Sequence, residues 1–196
     1  MDNRAPTDRP LMKRGTFKRN FRKEPKDQTY LCYEVEVRQG VAWVAVEGLQ
    51  GIRRKRPQHL DRRRKYRLTW YISLSPCPDC VPKLVEFLEE NRHVQLRIFA
   101  AHIHTKISGY EDGLRRLRDA GAELAIMTFE ELQHCWEKFV YHGTRMQPLK
   151  PETELEKKLQ KLKEILRLTV SQDLVKAPFI PKRVQTAPIL TAGNDY

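Results

Sequence analysis

No apolar run in this chain approaches the roughly 20 residues a helix needs to cross a bilayer, and no apolar stretch near Met1 has the make-up of a signal peptide. Acidic residues are in the minority: 25 Asp and Glu stand against 37 Lys and Arg, a net charge of +12. Cysteine is scarce too. Cys32, Cys77, Cys80 and Cys135 are too few and too scattered in 196 residues for a disulfide scaffold. These absences lead us to expect a soluble, reduced, intracellular protein with no membrane partner. Its surplus of positive charge points to a polyanion, nucleic acid first, although the same balance fits a merely soluble basic protein about equally well.

The length suits one domain with loose ends. Residues 1–28 are basic and polar, with Lys13, Arg14, Lys18, Arg19, Arg22 and Lys23, and with Phe17 and Phe21 spaced four apart but little else to bury. They are expected to form a mostly flexible arm. Tyr30 to Val37 has strand composition, Gln39-Gly40 turns the chain, and Val41 to Val46 reads as the returning strand of a hairpin. From Gly51 to Lys65 the chain is a dense cationic loop, with Arg53-Arg54-Lys55-Arg56 and Arg62-Arg63-Arg64-Lys65 on either side of His59. That loop has no apolar periodicity and cannot be a core element. The run Arg53 to Arg56 reads equally as a nuclear-import patch or a solvated face.

Beyond the loop, strands and helices alternate. Tyr66 to Ile72 is β-rich, Val81 to about Asn91 is an amphipathic helix, and Val94 to Ala101 is a short apolar strand. Tyr110 to Asp119 is a helix stopped by Gly121, Glu123 to Met127 a strand, and Phe129 to Tyr141 a helix with Leu132, Cys135, Trp136 and Phe139 on one face. A last helix from about Pro151 to Leu168 carries Leu155, Leu159, Leu162 and Leu166, a stripe too short for a coiled coil and read as packing surface. This alternation implies a sheet covered by helices. The domain is placed at 29–170, with a disordered tail at 171–196 that contains Pro178, Pro181 and Pro188.

Chemistry concentrates in Ser73-Leu74-Ser75-Pro76-Cys77-Pro78-Asp79-Cys80. Cysteines two residues apart, at a strand-to-helix turn, can both reach one metal at about 2.3 Å, and a helix N-terminus favours anionic ligands. The same pattern also fits a redox pair or two small buried side chains. His134 with Cys135 fits a core helix better than a second metal site, and His93 and His142 read as surface residues.

From Tyr30 to about Leu168 the chain resembles the APOBEC and activation-induced polynucleotide cytidine deaminases, most of all the antiviral third APOBEC branch. The resemblance rests on several segments in order. They are Tyr30-Leu31-Cys32-Tyr33-Glu34, Tyr66-Arg67-Leu68-Thr69-Trp70, Ser73 to Cys80, Leu96 to Ala101, Gly113-Leu114-Arg115-Arg116-Leu117, Ile126-Met127-Thr128-Phe129 and His134 to Val140. It implies an α/β, cytidine deaminase-like fold with a five-stranded mixed sheet flanked by helices. It also implies Zn2+ held by one His and two Cys, here His59, Cys77 and Cys80, and hydrolytic conversion of cytosine to uracil in single-stranded DNA or RNA. Antiviral defence, innate immunity, a viral ribonucleoprotein partner and a cytoplasmic, in part nuclear, location come with the family as expectations.

The chain departs from the pattern where the chemistry is done. The family's His-x-Glu supplies a metal ligand and the proton-shuttling carboxylate, and no His-x-Glu exists in this sequence. Read most simply, Pro57-Gln58-His59 keeps the ligand while the Glu and the first helix are missing. Read otherwise, His59-Leu60-Asp61 is a shortened version with Asp61 as a weak substitute. Leu74 replaces a pocket tryptophan, His104 replaces a tyrosine that stacks on the target base, and His102 replaces an arginine. Trp70, His102, His104, Arg53, Arg54, Lys55, Arg56, Arg62 and Arg63 are the candidate nucleic-acid contacts. Losing a helix with a few large apolar side chains removes about 5–10 kcal/mol of burial, so a marginal fold with one sheet face partly bare is expected.

Overall fold

The computed structural model describes residues 11–23, 28–52, 60–141 and 152–167. Strand β1 is Met12–Lys13 and helix α1 is Arg14–Phe17, continued by a wider π-helical turn over Lys18–Arg22. Then come β2 (Leu31–Gln39), β3 (Ala42–Gly51), β4 (Tyr66–Ile72), α2 (Val81–Glu90), β5 (Val94–Ala100), α3 (Tyr110–Asp119), β6 (Glu123–Ile126), α4 (Phe129–Phe139), β7 (Val140–Tyr141) and α5 (Glu152–Leu166). The main sheet is five-stranded and mixed, in the order β3-β2-β4-β5-β6. β2 runs antiparallel to β3 and β4, while β4, β5 and β6 are parallel. The α/β fold read from the alternation is the one observed, and no described residue between β3 and β4 is helical.

The sheet separates two cores, as strand periodicity requires. Val35, Leu68, Leu96 and Ile98 face α2 and α3 with Val81, Leu88 and Leu117. On the opposite face Cys32, Tyr71 and Ala101 meet Leu132, Cys135, Trp136 and Phe139 of α4. Burial pushes the Cys135 thiol far up, and a hydrogen bond with Cys32 adds to the shift. Both are core thiols, and the core reading of α4 is the observed one. The leucine stripe of α5 also packs: Leu162, Ile165 and Leu166 close on Ile103, Leu114 and Ile126. Two arginines of α3 cap its end, Arg115 Nε donating to the Ile165 carbonyl at 2.8 Å and Arg118 to that of Leu166. These bonds satisfy carbonyls that a helix C-terminus leaves open.

The structure corrects one expectation. Of the arm read as flexible, residues 12–22 are folded: β1 pairs in parallel with β7, and Met12, Phe17 and Phe21 are core residues. Phe17 stacks on Phe21 at 4.7 Å and meets Trp136 edge-on at 5.7 Å. Trp136, Phe139 and Val140, which enclose them, lie more than a hundred residues away, so no local pattern announces their burial. Residues 1–10, 24–27 and the tail at 171–196 lie outside the described residues. The face that carries α2 and α3 has a half-covered edge. Val46, Leu49 and Leu60 pack over it beside Tyr33 and Trp70, leaving these partly buried. Among the described residues the exposed large hydrophobics are Leu11, Val41, Val44, Ile107 and Tyr141.

Candidate metal turn and nucleic-acid contacts

The turn between β4 and α2 is built from its own backbone. Cys80 N–H donates to the Cys77 carbonyl at 2.9 Å and Val81 N–H to the same oxygen at 3.2 Å, winding Pro78, Asp79 and Cys80 into the start of α2. The two sulfurs are drawn to 2.7 Å of each other, with Cys77 half-buried and Cys80 exposed. Two serines fix the approach. Ser73 Oγ accepts from Tyr30 N–H at 2.8 Å and ties the end of β4 to the start of β2, while Ser75 Oγ accepts from His104 N–H at 2.9 Å. Ser75 N–H also donates to the His102 carbonyl at 2.8 Å, so the loop after β5 runs alongside the cysteine turn.

Helix α3 presses on the same turn through a glycine. A Cβ on Gly113 would sit 3.3 Å from Val81 Cγ2 and 3.6 Å from the Pro78 Cα, so the missing side chain permits this close approach. Gly113→Val is expected to cost roughly 1–3 kcal/mol by overpacking and to weaken metal uptake at the turn. Urea unfolding together with competition against a chromophoric zinc chelator would measure both; an unchanged variant would remove the packing argument.

The predicted site residues do not all converge. Cys77, Cys80 and His104 share one neighbourhood. His102 points inward, 8% exposed, with its Nδ1 3.1 Å from Lys158 Nζ of α5. It belongs to packing rather than to an open binding surface. Trp70 lies mid-strand, partly buried among core side chains, between Tyr33 on β2 and Ile98 on β5. Arg62 and Arg63 are exposed. Arg53, Arg54, Lys55, Arg56 and His59 lie outside the described residues. Among the described residues no three His, Cys, Asp or Glu side chains gather as a metal cluster.

Asp61 is exposed, and its carboxylate accepts from Arg63 N–H at 3.0 Å and Arg63 Nε at 3.3 Å. These bonds, the backbone one first and the Arg63 and Arg64 charges after, hold its carboxyl below the usual range. A proton carrier needs the opposite arrangement, a carboxyl raised towards the working pH. As for zinc, the Cys77 and Cys80 sulfurs are the soft, adjacent donors it takes. The described residues therefore fit the metal in part, with the third ligand assigned to His59 by sequence alone.

Sequence reasoning passed over Lys158, which reaches across from α5 to the Ala101 carbonyl at 3.2 Å as well as to His102. It also passed over a buried ionic group between β2 and α4. Glu34 accepts from His134 at 3.1 Å and from the Tyr71 hydroxyl at 3.3 Å and pairs with Lys138. Burial pushes its carboxyl up, but His134 and then Lys138 outweigh that and bring it down to about 2. The signal available in sequence was the pair His134 and Lys138, four apart on one helix face. Nothing local to Glu34 announced it.

A five-stranded mixed sheet with Cys-x-x-Cys at the turn from a central strand into a helix is the architecture of the zinc nucleobase deaminases. The chain belongs to the APOBEC3 cytosine deaminase domain family, whose family model matches residues 10–169. It is 36% identical over 173 residues to the DNA dC->dU-editing enzyme APOBEC-3G of Lagothrix lagotricha, covering 75% of this chain and 45% of that one. It is 36% identical over 156 residues to the Pongo pygmaeus enzyme of the same name, covering 66% and 41%. With the DNA dC->dU-editing enzyme APOBEC-3Ca of Felis catus it shares 40% over 114 residues, covering 57% and 59%. The chain thus spans about half the length of the curated relatives it matches. The match begins at residue 10, inside the arm that sequence reasoning set apart.

Proposed function

We propose that this chain is a single-stranded nucleic-acid-binding member of the family that does not itself deaminate cytosine. One observation carries the reading: the cysteine turn is intact, whereas the carboxylate two residues after the candidate ligand His59, Asp61, is exposed and bound to Arg63. Cys77 and Cys80, with His59, would hold zinc. When bound, zinc makes its water a nucleophile near neutral pH. Deamination also requires a proton to be carried to the departing ammonia, and Asp61, held by Arg63, is not placed to carry it. On this reading the metal fastens the turn, and the exposed cations of the 60–65 segment, with the run Arg53 to Arg56, hold the phosphate backbone.

Binding would then be electrostatic and steep in salt. Four to six phosphate contacts give log K against log[salt] a slope of about −3 to −4 for single strands. Fluorescence anisotropy of a labelled oligo-dT and oligo-rU across a salt series measures it, and a flat response would exclude the reading. The same titration compares DNA with RNA. Retention on viral ribonucleoprotein, an antiviral role and a cytoplasmic location with nuclear entry through Arg53 to Arg56 extend the proposal and depend on that binding. The second reading, a working cytidine deaminase, is favoured by the relatives' names as DNA dC->dU-editing enzymes. A uracil-excision assay on single-stranded DNA separates the two.

A further inference from the structure

The sheet face that carries α4 is covered at one end by that helix and by Phe17 and Phe21. Its other end bears a stack that neither the cysteine turn nor the cationic loop explains. Trp43 on β3 lies directly across from Arg38 on β2. Glu36, two residues along β2 and so on the same face, is opposite Arg67 on β4. The Arg67 guanidinium reaches over the Trp43 ring, 4.2 Å from its centroid, and Glu36 holds it at 3.5 Å. A second pair repeats the device further along the sheet, with Arg97 over the Phe99 ring at 5.1 Å and Glu123 at 3.2 Å.

Among the described residues, the face around the first stack is open. Arg38, Ala45 and Gln95 are exposed, while Trp43 and Arg67 are only partly buried. β3 is also the edge strand of the sheet, so a flexible chain can cross this face without meeting a further strand. The Trp43 ring is not fully buried, so part of it stays accessible beside the guanidinium. An aromatic face braced by a guanidinium, with a second arginine beside it, is the chemistry that holds an unpaired base and its phosphate. A net charge of +12 supplies the long-range attraction.

We propose that this sheet face, centred on Trp43 and Arg67, is a second contact site for single-stranded nucleic acid, distinct from the cysteine turn. One base stacks on the Trp43–Arg67 pair, and Arg38 takes a neighbouring phosphate. The site rests on the reading that the chain binds single strands, and the two can fail separately.

The test uses the full chain labelled with 5-fluorotryptophan. Its three tryptophans, Trp43, Trp70 and Trp136, give fluorine resonances assignable by single Trp→Phe substitutions. On adding oligo-dT or oligo-rU, the Trp43 resonance should move saturably, at the affinity read by anisotropy, while that of the fully buried Trp136 should stay. Trp43→Ala should weaken binding roughly 5- to 150-fold, the span of base–aromatic stacking, and Trp43→Phe far less. Binding with an unmoved Trp43 resonance, or a folded Trp43→Ala of unchanged affinity, overturns the sheet site and leaves the binding function standing. No binding to either strand overturns both.

Discussion

Incubated with single-stranded DNA, zinc and ample time, the 196-residue chain is expected to leave every cytosine intact. A positioned acid–base group is worth about 10²–10⁴ in rate. The family places that group two residues after its histidine ligand, where this sequence has Asp61 after Leu60. Asp61 is pinned to its own turn by Arg63, so the one candidate replacement is committed elsewhere. The assay is uracil excision followed by strand cleavage, read against a known active deaminase. Uracil appearing with this chain, and vanishing with a chelator or with Cys77→Ala, would overturn the reading. Asp61→Asn gives a second handle: it should change nothing in the assay, whereas a working short acid would lose its product.

The second large effect concerns Glu34. Its carboxyl lies at about 2 instead of the ordinary 4.5, which at 1.36 kcal/mol per unit corresponds to about 3 kcal/mol of stability. The side chain is 13% exposed, so solvent screening removes little of this. Because the folded value is the lower one, the contribution is complete above pH 4.5 and drains away as pH falls towards 2. Glu34→Gln removes the charge that His134 and Lys138 face. It should cost about 3 kcal/mol at pH 7 and lower the unfolding midpoint by about 10 °C. The gap between wild type and variant should close as the solution approaches pH 2. Urea unfolding at pH 7 and pH 3 tests it, and a gap of equal size at both pH values would show that Glu34 is not the source.

Both results bear on how much could be read from residues alone. The central strands were legible because Tyr66 to Ile72 and Val94 to Ala100 are rich in β-branched and aromatic side chains and are bounded by turn-forming residues. The helices were legible because a 3.6-residue period repeats over two or three turns. Cys77 and Cys80 were legible because their spacing survives without any context. The folded arm was not: two phenylalanines in a basic segment look like an exception until Trp136 and Phe139 stand opposite them. Glu34 looked like an ordinary polar position on a strand, since its partners sit on a helix about a hundred residues later. Trp43 belonged, from sequence, to a returning hairpin strand with nothing to set it apart. Register brings Arg38 beside it and carries Arg67 across β2 to its ring.

Sequence by itself determined the family, the order of strands and helices, the cysteine turn and the want of a His-x-Glu, because each depends on residues close together along the chain. Tertiary structure decided which polar groups are buried, which face of the sheet stays open, that the arm is part of the core and that His102 turns inward to Lys158. Those outcomes depend on contacts between distant segments, and the free energy of such a contact belongs to the pair and is written in neither segment alone.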